Sequence, residues 1–191
     1  MGELLQSLSK DNFVIVTGGP GAGKSTLIDR FEQRGFERSV EAGRAIIQDQ
    51  MAIGGSALPW KDAGLFAELM LSWELRSYQI AQPKSGPVFF DRGVPDVVAY
   101  LRLIGSAVPE HMRKAVDTFR YNRRVFIAPP WKEIFRQDLE RKQDFDEAVR
   151  TYDSLVETYR SCEYELVEIP RLSVEDRVRF ILGNLPIASQ L

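Results

Sequence analysis

An α/β fold, a parallel sheet covered by helices on both faces, is predicted by three observations. Short apolar runs rich in β-branched residues alternate with amphipathic stretches along almost the whole chain. Glycine or proline stands at most of the changes from one pattern to the other. A glycine-rich loop ending in Lys-Ser separates the first strand from the first helix. The 191 residues fit one domain, 1–191, with length enough to bury a real core.

Asn12–Thr17 is apolar and β-branched and stops at a glycine cluster, as a buried parallel strand does. Ser25–Arg34 places Leu27, Ile28 and Phe31 at helical spacing, with Gly35 as its stop. Phe36–Val40 reads as a brief second strand, and Ala42–Ile53 as a helix ended by Gly54 and Gly55. In Ala63–Ile80, Leu65, Phe66, Leu69, Met70 and Trp73 recur at the spacing of a buried helical face. Pro83 and Gly86 end that helix before the strand Pro87–Asp91, and a turn at Gly93 opens a helix over Pro95–Ile104. Pro109–Phe119 reads as helix and Arg124–Ala128 as a fourth strand, closed by Pro129-Pro130. Trp131–Ser161 is helical in propensity and dense in charge, Tyr164–Ile169 is a fifth strand, and Val174–Leu182 is the last helix.

Composition narrows the function classes. Lys plus Arg number 25 against 27 Asp plus Glu, a net charge of -2, so no global attraction to nucleic acid is expected. No apolar run approaches the ~20 residues that span a bilayer, and no secretion signal is read at the start, so no membrane association and a cytoplasmic location are expected. Cys162 is the single cysteine and has no activating neighbour in sequence. His111, the single histidine, lies beside Glu110 and Arg113 on a helix, which speaks against a metal site or a histidine triad. Arg120, Arg123 and Arg124 read as a solvated helix end, and Trp60, Phe66 and Trp73 as core aromatics or a stacking surface.

Gly18-Gly19-Pro20-Gly21-Ala22-Gly23-Lys24-Ser25 carries the chemistry. Four residues separate two glycines and Lys-Ser follows, between a strand and a helix, as a phosphate-binding loop requires. The glycines let successive backbone N–H groups turn inward, so that Gly19 to Thr26 form a cradle for a nucleotide's phosphates. Lys24 adds a cation for the β and γ oxygens, and Ser25 offers a hydroxyl to Mg²⁺. The third strand ends in Asp91-Arg92-Gly93, which sets a carboxylate at the sheet edge where open α/β folds bind ligands. Asp91 is there a metal ligand or a base, unless it only caps the following turn, and Arg92 is a brace for phosphate or substrate. Glu41 and Arg44 share a helix face continued by Gln48, either as a surface ion pair or as base and anion clamp. Arg136 and Arg141 flank Asp138 in a charged segment that is either a solvated helix or a lid over a triphosphate, at about residues 131–150.

In order along the chain, Thr17–Ser25, Glu41-Ala42-Gly43-Arg44, Phe90–Asp96 and the Arg136–Arg141 stretch resemble the P-loop ATPases that include the ribosylnicotinamide kinase domain of the bacterial NAD regulator protein. The resemblance implies a nucleoside-kinase-like three-layer αβα sandwich, its five parallel strands in the order 2-3-1-4-5 under a helical lid, with ATP and Mg²⁺ at the C-terminal edge. It implies that Asp91-Arg92 matches the acid–arginine pair ending strand three of deoxynucleoside kinases, that Glu41 matches the glutamate serving as base there, and that the loop near Pro170 and Arg171 borders adenine. The chain departs from the ring-forming AAA motors in length and in having no hydrophobic run ending in Asp-Glu. The expected activity is ATP- and Mg²⁺-dependent phosphoryl transfer to a hydroxyl of a small-molecule acceptor. A nucleoside triphosphate hydrolase and a nucleotide-dependent switch for a protein partner are the alternatives.

Overall fold

The computed structural model describes residues 8–135 and 144–185. Among them the elements run β1 (Leu8–Ser9), β2 (Phe13–Gly18), α1 (Lys24–Gln33), β3 (Glu37–Arg38), α2 (Ala42–Ile53), α3 (Ala63–Ala81) and β4 (Val88–Asp91). They continue with α4 (Val94–Leu103), α5 (Glu110–Thr118), β5 (Phe119–Arg120), β6 (Arg124–Ala128), α6 (Phe145–Ser161), β7 (Glu165–Glu168) and α7 (Val174–Gly183). Five strands form one parallel sheet in the order β3–β4–β2–β6–β7. The two-residue strands β1 and β5, which no sequence pattern announces, pair in a ribbon of their own. Without that ribbon the order is 2-3-1-4-5, as the resemblance implies.

The pleat of β2 distributes the core. Phe13 and Ile15 point to one face and Val14 and Val16 to the other, all fully buried, because successive strand residues alternate. On the Phe13 side, Phe90, Val125 and Ile127 meet α3, α4 and α6 through Leu71, Val97 and Leu155. On the Val14 side, α1 and α7 lay Leu27, Ile28, Phe31, Val178 and Ile181 against Phe89 and Phe126. The rings of Phe31 and Phe89 stack with centroids 3.7 Å apart. A smaller cluster, Ala42, Ile46 and Phe66, joins α2 to α3. No helix among the described residues is long and apolar enough to cross a membrane.

Three expectations need correction. Trp131–Ser161 is not one helix: Trp131–Phe135 is a turn after Pro129-Pro130, and α6 begins only at Phe145. Asp144 caps it by accepting from Glu147 N at 2.7 Å, with Asp146 and Glu147 in the first turn to suit the helix dipole. Within α3 the buried face is Phe66, Ala67, Leu71, Glu74 and Tyr78, while Leu65 is exposed, since three-and-four spacing is satisfied by two overlapping stripes of so apolar a helix. Arg120 is not solvated: its guanidinium lies over the Tyr164 ring and donates to Cys162 O at 2.8 Å.

The Phe31–Phe89 stack joins a helix to the sheet with both rings fully buried, so Phe89→Ala should cost about 3–5 kcal/mol of stability. Urea denaturation measures it, and a loss below about 1 kcal/mol would mean that the face repacks.

Candidate active site

The glycine-rich loop links the buried central strand β2 to α1, whose N-cap is Gly23. Gly21 and Gly23 have φ of +71° and +76°, a left-handed conformation that side chains oppose. Each is also packed from outside: a Cβ on Gly21 would lie 2.5 Å from the Phe135 ring, and one on Gly23 would lie 2.9 Å from the Arg177 guanidinium. Lys24 is buried, and its Nζ donates to Gly19 O at 3.1 Å. Ser25 and Thr26, one residue into the helix, are exposed.

Asp91 reaches the loop because β4 is the neighbour of β2, with Asp91 in register with Val16. Its backbone N–H donates to Ser39 Oγ at 3.1 Å, which ties the end of β4 to the segment after β3. That segment leads into α2, whose N-cap is Glu41. Ser25, Glu41, Arg44, Gln48 and Asp91 consequently line one cavity of about 160 Å³ beside the phosphate loop. Five residues singled out by sequence, drawn from three separate segments, thus meet in one place. The lid arginines Arg136 and Arg141 lie outside the described residues.

The electrostatics of this cavity are unusual. Asp91 is 4% exposed, and its Oδ1 is buried without a hydrogen-bond partner. Burial, with the neighbouring Glu41 charge added, pushes its carboxyl up to about 6, against the opposing pull of Lys24 and Arg92. Arg92 does not line the cavity. It stands at φ +76° with Nε donating to Glu41 Oε1 at 3.2 Å and Nη1 to Asp96 Oδ1 at 3.1 Å. Burial alone would lower its pKa, but the carboxylates of Glu41 and Asp96 outweigh burial and raise it.

Sequence reasoning passed over the residue that organises these groups. Asp96, at the third position of α4, accepts from Thr17 Oγ1 at 2.6 Å and from Gly93 N at 3.0 Å, and also from Arg92 and the Tyr159 hydroxyl. An acidic residue three positions after a helix-opening glycine was the available sign. Glu74, on the buried face of α3, carries a carboxyl pushed well above its usual range by burial and by the charges of Asp96 and Asp91. A larger cavity of about 620 Å³ shares Arg38 and Val40 with the first and is walled by α2, α3 and β4, including Trp73 and Arg76. Phe66 belongs to the α2–α3 core, and Trp60 is 61% exposed and lines neither cavity.

A divalent cation fits these groups. Asp91 Oδ1 is a buried carboxylate oxygen with no hydrogen-bond partner among the described residues, and Ser25 lines the same cavity. Among the described residues no cluster of three or more His, Cys, Asp or Glu side chains is placed to hold a metal. One carboxylate and one hydroxyl suit a hard cation that takes few protein ligands and leans on phosphate and water.

A glycine-rich loop between the central strand and a helix, in a sheet of this order, defines a P-loop enzyme of the kinase or ATPase class. Residues 13–177 match the model of an AAA domain family, and the chain belongs to that family. No curated protein matches the sequence. Among solved structures, deoxyadenosine kinase from M. mycoides with bound dATP is similar at 14% identity and a TM-score of 0.64, over 91% of this chain and 98% of that one. The NadR protein in complex with NR is similar at 15% identity and a TM-score of 0.65, over 91% of this chain and 49% of that one, so this chain spans about half of it. Both likenesses are in the fold.

Because folding raises the Asp91 pKa from its ordinary value near 4 to about 6, the folded state holds that proton more tightly than the unfolded chain. Metal-free protein should lose stability from this group as pH rises from about 4 to about 6, and not regain it above. Asp91→Asn should remove that decline and stabilise the metal-free protein at pH 8 by on the order of 2 kcal/mol. Denaturant unfolding across pH checks this; an Asp91→Asn profile that keeps the wild-type slope would place the titration elsewhere.

Proposed function

We propose that this chain transfers the γ-phosphoryl group of ATP to a hydroxyl of a small molecule, with nucleoside-sized, ring-bearing acceptors favoured. The observation that carries the reading is the pairing of Asp91 and Glu41 across a cavity opening onto the phosphate loop. Two carboxylates there give one group for a metal and one for an acceptor hydroxyl. The adjoining 620 Å³ cavity, with the half-buried ring of Trp73 in its wall, has room for the body of such an acceptor. The deoxyadenosine kinase named above supports the acceptor class by fold alone.

In this reading the loop amides from Gly19 to Thr26 and the Lys24 ammonium hold the β and γ phosphates. When bound, Mg²⁺ would be held by Ser25 and Asp91 and would neutralise phosphate charge. Glu41, oriented by Arg92, accepts the proton of the acceptor hydroxyl while its oxygen bonds to the γ-phosphorus. The bond from that phosphorus to the β,γ-bridging oxygen breaks, and its electron pair leaves with ADP. Arg44 steadies the acceptor or an anionic group on it, and Arg136 or Arg141 supplies the cation that meets charge growing on the transferred group. The segment at about 131–150 serves as the lid of a single domain.

Purified protein with Mg²⁺ and ATP, given pools of nucleosides, vitamins, sugars and aminoglycosides, tests the reading. Acceptor-stimulated ADP release is expected, and Lys24→Ala should reduce it about a thousandfold or more, several kcal/mol of barrier. Hydrolysis indifferent to every pool would replace the kinase by a hydrolase. The two carboxylates separate in the same assay: Asp91→Asn should raise the Mg²⁺ concentration needed for half-maximal rate, whereas Glu41→Gln should lower kcat by about 100-fold or more at an unchanged Mg²⁺ requirement. The reverse pattern would exchange the two roles.

A further inference from the structure

Arg177 occupies a position at which an arginine is costly. It lies on the apolar stripe of α7, between Val174 and Val178 with Ile181 one turn on, and is 3% exposed. Burial lowers its pKa, so the fold disfavours the charge it carries. Among the described residues no carboxylate pairs with it. The acids beside it in sequence are engaged elsewhere, Glu175 by Arg30 and Arg34, and Asp176 by Arg179 and Ser173. Its Nε is buried without a hydrogen-bond partner among the described residues. The guanidinium sits 5.8 Å from the centroid of the Trp131 ring, and its one hydrogen bond among the described residues runs from Nη2 to Ala22 O, at 3.0 Å, in the phosphate loop.

That bond fixes a direction. The peptide that joins Ala22 to Gly23 is trans, as are all those among the described residues, so the N–H of Gly23 points opposite to the carbonyl of Ala22. With the carbonyl turned outward to Arg177, the Gly23 N–H is turned inward, to the concave side where phosphate binds in such a loop. A cation donating to the carbonyl also polarises the peptide, which makes the N–H a stronger donor to an anion. The missing Cβ of Gly23, whose place lies 2.9 Å from Arg177 Nη1, is what allows the guanidinium to come this close.

We propose that Arg177 is a positioning residue of the nucleotide site. It locks the Ala22–Gly23 peptide in its binding orientation and lends the loop a positive charge that no carboxylate among the described residues matches and that a bound polyphosphate compensates. The proposal rests on the phosphate-loop reading, not on which acceptor is phosphorylated.

The test compares the apo melting temperature and the dissociation constant for Mg²⁺-ATP, by calorimetry without acceptor, in the full wild-type chain, Arg177→Met and Arg177→Lys. Arg177→Met should keep or raise the apo melting temperature, since it removes an unpaired buried charge, while raising the dissociation constant about tenfold or more. Arg177→Lys should recover part of the affinity. An unchanged dissociation constant in Arg177→Met overturns the proposal, whatever the melting temperature does. If Arg177→Met fails to fold, or loses both, Arg177→Lys decides: recovered affinity supports the role, and any other result makes Arg177 a packing residue. Wild-type protein that binds no triphosphate would overturn the phosphate-loop reading itself, an outcome distinct from equal binding by wild type and variants.

Discussion

The site is held together by one buried carboxylate. Asp96 receives Thr17 from the end of β2, Gly93 and Arg92 from the turn after β4, and Tyr159 from α6. These groups come from the strand that leads into the phosphate loop, the strand that carries Asp91, and a helix covering the sheet. A carboxylate with this many donors is stable in a buried place because its lone pairs are used and an arginine matches its charge. The match also positions Arg92, whose other edge holds Glu41. The path from Thr17 to Glu41 therefore runs through two side chains and sets both the height of the loop and the direction of one of the two carboxylates facing it. Arg92 in a left-handed backbone conformation is the local strain that this arrangement sustains.

Two groups in the same region stand in the opposite condition. Asp91 keeps an unpartnered buried oxygen, and Arg177 keeps an unpartnered buried nitrogen and no counter-charge among the described residues. The contrast with Asp96 separates structure from function without reference to any relative. A charge needed to build the fold is matched within the fold, whereas a charge kept unmatched costs stability and implies a compensating species from outside. Among the described residues Asp91 keeps one oxygen open and Arg177 one nitrogen open, and the metal-bound polyphosphate of the proposed reading would complement both.

The strands, the phosphate loop and the placing of Asp91 beside it were legible because each rests on a local pattern: β-branched runs, glycines at fixed offsets, a carboxylate where a strand ends; the sheet order and the match of Glu41 to a base came only with the family resemblance. The helix from Trp131 to Ser161 was misread because propensity does not weigh the turn after Pro129-Pro130 or the cap at Asp144. Asp96 was present in the quoted Phe90–Asp96 stretch and yet passed over, since its worth lies in partners 79 and 63 residues away. Arg177 did leave a trace, a charge at the spacing of Val174, Val178 and Ile181. Such a break in an apolar stripe reads as a surface edge unless the ridge it faces is known.

The unmatched charges bear on how this protein responds to its ligands. Each lies against an element that also forms the core: Asp91 ends β4, and Arg177 stands between Val174 and Val178 on the helix that packs on α1. Relief of either charge by a ligand is therefore felt as stability of the element that carries it, and anything that binds only the folded state adds to the folding free energy by mass action. On the proposed reading a metal would act on Asp91 directly and a polyphosphate on Arg177 through the Ala22–Gly23 peptide, so their effects should reinforce each other: the phosphate would complete the metal's oxygen shell, and the metal would offset the charge that the phosphate brings to Asp91. Coupling of this kind requires no moving part. It follows from leaving a carboxylate and a guanidinium unsatisfied beside one glycine loop.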